Sequence, residues 1–194
     1  MIRDCCVRID NVKVRFCLCP SAGKTLLKKI IFWENEILTK PQYFLYTKFP
    51  NYVIFQNNLV YTIFTDFNKT YFRINITGIS SADKISDSVK DFCLHFDVPA
   101  TKIISDIIID SIFASGSFKK PINLRLLMRL LNGQFSNIFK VKFNCETSSA
   151  AYCRHKKFGT IGVFRTGKSI ILGAKCPETV NNLVCEMSAL IQDL

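Results

Sequence analysis

The chain has 194 residues, of which 48% are hydrophobic and 21% charged, with a net charge of +11. That is enough apolar material for one domain, or two half-domains on one core, and the positive excess is the electrostatic footprint of a polyanion binder. A membrane partner is excluded: the longest apolar candidate, Ile103 to Phe113, is broken by Asp106 and Asp110, and Met1-Ile-Arg-Asp-Cys-Cys has no apolar signal core.

In chain order, Asn11 to Leu18 reads as a strand, and Lys24 to Ile31 as a short helix with Leu26, Leu27, Ile30 and Ile31 on one side. Ile74-Asn-Ile-Thr-Gly78 is a strand closed by glycine. Ser80-Ser81 then leads into a long helix predicted over Ala82–Phe96, with Ile85, Val89, Phe92, Cys93 and Phe96 on one face. Lys102 to Phe113 again reads as a strand. Pro121 to Leu131 is a short helix carrying Leu124, Leu127, Leu130 and Leu131, stopped by Gly133. From Val163 to Lys175 the pattern is strand, Thr166-Gly167 turn, strand, Gly173. Pro177 opens another long helix, to Leu190, with Val180, Leu183, Val184 and Met187 on one face.

The order strand, short helix, strands, long helix thus occurs twice. Gly78 and Gly173 stand 95 residues apart, close to half the chain, so an internal duplication is predicted with repeats 1–98 and 99–194. Short turns between strands imply antiparallel pairing. The fold class is α+β: two halves sharing one sheet, with both long helices on one face.

Several local patterns point elsewhere and fail on physical grounds. Gly162-Val-Phe-Arg-Thr-Gly-Lys-Ser169 matches the phosphate-loop pattern, but a strand ending in Gly173 follows it where a helix is required. Ser21-Ala-Gly-Lys-Thr25 mimics the end of the same pattern, with Leu18 in the place of the first glycine. The nine cysteines read as reduced thiols in small core positions. Neither Cys5, Cys6, Cys17 and Cys19 nor Cys145, Cys153 and His155 has zinc-ligand spacing, so no metal and no cofactor is expected. Asn68-Lys-Thr and Asn75-Ile-Thr match glycosylation acceptors by chance. His95 reads as a helix-end residue and His155 as part of a basic loop with Arg154, Lys156 and Lys157; no catalytic constellation is present, so no enzyme is expected.

The run Phe164-Arg-Thr-Gly-Lys-Ser-Ile-Ile-Leu-Gly-Ala-Lys175 resembles the core motif of the TATA-box-binding protein family, Ile-Phe-x-Ser-Gly-Lys-x-Val-x-Thr-Gly-Ala-Lys followed by a long helix. Phe113-Ala-Ser-Gly-Ser-Phe-Lys-Lys-Pro-Ile-Asn-Leu124 is similar to the family's first strand and short helix. Asp10-Asn11-Val12 and Lys40-Pro41-Gln42-Tyr43-Phe44 fall where the family has Asn-Ile-Val and Asn-Pro-x-x-Phe. The resemblance covers nearly the whole chain and is strongest in its C-terminal third.

It implies a pseudo-twofold saddle with about ten curved antiparallel strands and helices on the convex face, laid on the minor groove of AT-rich promoter DNA that aromatic wedges kink. In the first repeat the implied wedges are Phe44 and Phe64. In the second they are Phe164 and either Phe139 or, by gap-free spacing, Thr147. Asn11 matches a base-contacting Asn, with Ser111 as its counterpart. Lys13 and Phe113 stand where the family has a groove-facing Val. Ile170 keeps an apolar groove contact, Leu172 replaces a Thr that hydrogen-bonds at the centre, and Lys168 and Lys175 remain for phosphates. Other initiation factors and RNA polymerase are the implied partners, in the nucleus or, for a viral member, a cytoplasmic factory. The acidic surface that the family offers to its transcription factor IIB-type partner is basic here, Ser136-Asn-Ile-Phe-Lys-Val-Lys. The alternative is a scaffold subunit of a transcription complex that has lost DNA binding.

Overall fold

The computed structural model describes residues 6–36, 44–48, 51–56, 58–64, 71–144, 146, 148–192 and 194, the side chains of 32–36, 44–48 and 51 excepted. The expectations placed on Cys5, Lys40, Pro41, Gln42, Tyr43, Asn68, Cys145 and Thr147, and on the side chain of Phe44, lie outside the described residues. Two compact units divide the chain: Val12–Asp110, and Met1–Asn11 together with Ser111–Leu194.

The Val12–Asp110 unit is built on β1 (Cys6–Leu18), α1 (Pro20–Glu36), β2 (Phe44–Lys48), β3 (Asn51–Gln56), β4 (Leu59–Phe64), β5 (Phe72–Ile79) and α2 (Ile85–Phe96). Its strands are ordered β2-β3-β4-β5-β1, with antiparallel pairing in each described ladder. Ile74 pairs with Phe16 on one side and Ile63 on the other, so Val14, Phe16, Leu18, Ile74, Ile76, Tyr61 and Ile63 share one buried face. α2 covers it. Phe92 meets Phe16 edge-on at 5.4 Å, and Phe96 meets Tyr61 edge-on at 5.5 Å, a geometry that the ring quadrupole favours. A 3₁₀ turn, Ala82–Lys84, occupies the start of the predicted helix. α2 ends where Asp97 turns left-handed at φ 53°, and the Asp97 carboxylate pairs with Lys29 of α1.

α1 starts at Pro20, earlier than the expected Lys24. Gly23 does not break it. A Cβ there would lie 1.8 Å from the Phe72 ring, so glycine lets this helix rest directly on β5.

The other unit contains β6 (Ile108–Ser117), α3 (Leu124–Gly133), β7 (Phe139–Lys142), β8 (Ala150–His155), β9 (Gly159–Phe164), β10 (Lys168–Ala174) and α4 (Pro177–Gln192), with strand order β6-β10-β9-β8-β7, again antiparallel. β6 starts later than Lys102: Ala100–Lys102 form a 3₁₀ turn, and Ile103 makes only an isolated bridge to Leu18. α3 starts at Leu124 because Asn123 caps it, accepting from the Arg125 and Leu126 N–H groups at 3.1 and 3.2 Å. α4 buries Val180, Leu183, Val184, Met187 and Ile191 over β9 and β10, while α3 buries Leu124, Leu127 and Leu131 over β7 and β8.

His155 is not in a basic loop. It ends β8, is buried, stacks on Phe158 at 4.4 Å and meets Phe139 edge-on at 5.0 Å. Its Nδ1 accepts the Lys157 and Phe158 N–H groups, and its Nε2 lies 3.1 Å from a Glu186 oxygen. Among the described residues no helix is long and apolar enough to cross a membrane, and no group of three or more His, Cys, Asp or Glu could hold a metal ion.

Candidate nucleic-acid interface

Alternation along each strand sends every other residue to the face opposite the helices. In the Ser111–Leu194 unit the register identifies that open face. Leu172 pairs with Phe113 and Thr160, Ile170 with Ser115 and Gly162, and Lys168 with Ser117. Beyond them Tyr152 is opposite Gly162, Arg154 opposite Thr160, and Ala150 opposite Phe164. On β7, Lys140 pairs with Arg154 and Lys142 with Tyr152. The open face is therefore apolar and aromatic along Phe113, Ile170, Leu172, Tyr152 and Phe164. Lys168, Arg154, Lys140 and Lys142 stand around it, all exposed. No acidic residue occupies an open-face strand position among the described residues of this unit. Gly162 leaves room at its centre: a Cβ there would meet Ile170 and the Tyr152 ring at 3.0 Å.

Phe164 is the last residue of β9, half-buried. Its carbonyl accepts the Gly167 N–H at 2.9 Å across Arg165-Thr166. Gly167 has φ +85°, and a Cβ on it would lie 2.2 Å from the Lys120 carbonyl oxygen. This is a tight hairpin closed by a left-handed glycine. The hairpin is further pinned by Phe118 N–H to the Gly167 carbonyl and Ile122 N–H to the Arg165 carbonyl, each at 2.9 Å. The segment that mimics a phosphate loop is thus strand, hairpin and strand. Arg8, Ser115, Lys168 and Ile170 line a shallow hollow beside Phe164.

In the Val12–Asp110 unit the open face carries Lys13 and Arg15 on β1, Arg73, Asn75 and Thr77 on β5, Val60, Thr62 and Phe64 on β4, and Val53 and Phe55 on β3. Here cations are already engaged. The Asp110 carboxylate lies 3.1 Å from Lys13 Nζ and 3.6 Å from Arg15 Nε, and the Arg73 guanidinium sits over the Phe64 ring at 4.1 Å.

The predicted site residues separate accordingly. Phe113, Phe164, Lys168, Ile170 and Leu172 gather on the open face of one unit, and Lys13 and Phe64 on that of the other. Phe64 and Phe164 each end the strand before the glycine-closed one. Asn11 and Ser111 are partly exposed strand residues, and Lys175 is exposed just after β10. Phe44 begins β2 opposite Phe55. Phe139 does not reach the open face: it is 2% exposed, shares the helix side with Val141, Cys153 and His155, and packs under α3. Its expected place as a wedge is corrected by that burial.

Sequence reasoning missed Lys140, Lys142, Tyr152 and Arg154, although the alternation of Phe139-Lys-Val-Lys142 already separates two lysines from two apolar residues. It also missed Arg15, Arg73, Asn75 and Thr77. Thr77-Gly78 lies at the position of Leu172-Gly173 and so retains in the first repeat the Thr that the second lacks.

Each of the two α+β units thus has one helix-covered and one open antiparallel face. The profile of the family described as "Transcription factor TFIID (or TATA-binding protein, TBP)" matches residues 106–194. Methanococcus jannaschii TBP has the same fold: TM-score 0.68 at 17% identity, over 97% of this chain and 99% of that one. No curated protein matches the sequence. Residues 106–194 are thus similar to the TATA-binding protein family, a family of transcription factors, and the chain has the TBP fold.

Proposed function

We propose that the chain binds AT-rich promoter DNA through the minor groove and bends it, each repeat, 1–98 and 99–194, supplying one open face. Other initiation factors and RNA polymerase are its partners, and the nucleus is its place of action. The observation that carries this reading is the open face of the Ser111–Leu194 unit, where an apolar, aromatic centre is ringed by Lys140, Lys142, Arg154 and Lys168. A minor groove offers few polar groups and a wide sugar surface, which suits an apolar centre; the rim cations suit phosphates. Phe164, at the hairpin end, is the wedge that unstacks a base step, with Phe64 and Phe44 in the first repeat.

A titration of AT-rich duplex at increasing salt tests the proposal. Affinity falls steeply with salt if phosphate contacts dominate. Absence of binding at low salt favours the other reading, a scaffold that has lost DNA. That reading draws on the first unit, where Asp110 already occupies Lys13 and Arg15 and Arg73 covers Phe64.

A further inference from the structure

One polar group on the open face of the Val12–Asp110 unit is buried with an acceptor that lacks a partner. Asn75 stands in β5 between Ile74 and Ile76, both fully buried on the helix side, so its amide leaves from the opposite face. The register places it between Arg15 of β1 and Thr62 of β4. It is 6% exposed, and its Oδ1 makes no hydrogen bond. A buried acceptor in that state is destabilising, and native chains rarely keep one without a use. The sheet does not demand an amide here: counted from Gly78 and Gly173, the matching residue of the second repeat is Ile170. Nor is it a glycan site, since Asn75-Ile-Thr77 lies within a strand and Asn75 is covered.

In the minor groove A·T pairs show only acceptors, and the guanine 2-amino group is the one base donor. We propose that Asn75 reads a G·C pair, its Oδ1 accepting from the guanine 2-amino group at one position of an otherwise AT-rich site. This inference rests on the DNA-binding reading above. Arg15, opposite Asn75 and 3.6 Å from Asp110, has the length to swing to a backbone phosphate and uncover the amide.

The test uses the whole chain and AT-rich duplexes in which a single G·C pair is moved through every position. Each duplex is compared with its inosine·C counterpart, which lacks only the 2-amino group. At one position G·C should bind more tightly than inosine·C by about 5- to 100-fold, the span of a good base contact. Asn75→Val, which copies the apolar character of Ile170, should abolish that difference and retain affinity for the all-A·T duplex, with unchanged circular dichroism. Equal binding of guanine and inosine by the wild-type chain at every position overturns the proposal without need of the variant, as does discrimination that survives in Asn75→Val. If no duplex binds at low salt, the proposal falls together with the DNA reading; if duplexes bind without an inosine effect, it falls alone.

Discussion

Phe164 and Phe139 leave their strands on opposite sides of the same sheet, and this sets what each can do. Phe164 has the open face and the hairpin end. Phe164→Ala should leave the melting temperature nearly unchanged and reduce the DNA bend angle per bound complex. Phe139 has His155 and α3 around it, and Phe139→Ala should cost about 3–5 kcal/mol, the usual loss for a buried aromatic. Thermal unfolding and a bending assay on both variants decide the assignment, and a collapse in melting for Phe164→Ala would move that residue into the core. His95 on α2 gives a pH dependence. Burial holds its imidazole below the ordinary range, with Lys29 acting the same way and Asp97 opposing. The unfolded chain therefore protonates first as pH falls through about 6.5, so the stability due to the neutral ring is complete above that pH and is lost below it. The melting temperature should drop between about pH 7 and pH 5. His95→Gln, which keeps a neutral partner for Gln56, should flatten that drop.

At the scale of elements, the β9–β10 hairpin is the most sharply determined piece of the molecule. Its turn needs a left-handed residue at Gly167, and the Lys120 carbonyl leaves no room for a side chain there. Gly167→Ala should destabilise by about 1–3 kcal/mol from the backbone conformation alone, and more from the clash. Gly133, at the exposed end of α3, has nothing within 4 Å of the place an added methyl would take. Gly133→Ala is therefore the control, with an effect within about 1 kcal/mol. Equal effects at the two glycines, read from urea midpoints, would show that the hairpin does not depend on Gly167.

At the scale of the whole molecule, the charge of +11 has a direction because part of it is fixed on one sheet face. Each phosphate contact contributes about −0.9 to the slope of log K against log salt on duplex DNA. Replacing Lys140 and Lys142 together by Gln should therefore flatten the slope by about 2 and weaken binding to all sequences alike, while Asn75→Val changes base preference and leaves the slope unaltered. Both lysines are exposed on β7, so stability should move by no more than about 0.5 kcal/mol each. An unchanged slope would place the DNA away from β7.

The sequence by itself determined the elements whose signals are local: the Thr166-Gly167 hairpin, the two long helices, and the strand that ends at Phe164. Turn chemistry and 3.6-residue periodicity are written within a dozen neighbouring residues. The likeness to the TATA-binding protein family was legible as well, because the motif from Phe164 to Lys175 is contiguous. The start of α1 escaped because glycine is a poor helix former by local propensity, and only Phe72, brought from β5, accounts for Gly23 within the helix. Which side of a strand faces the helices was decided only by tertiary structure. In Phe139-Lys-Val-Lys142 the alternation says that two residues differ from two others, but α3 alone selects Phe139 and Val141 for the interior. The same holds for His155, Tyr152 and Asn75. A strand's face is set by register with partners distant in the chain, and a slip of one residue would reverse them all.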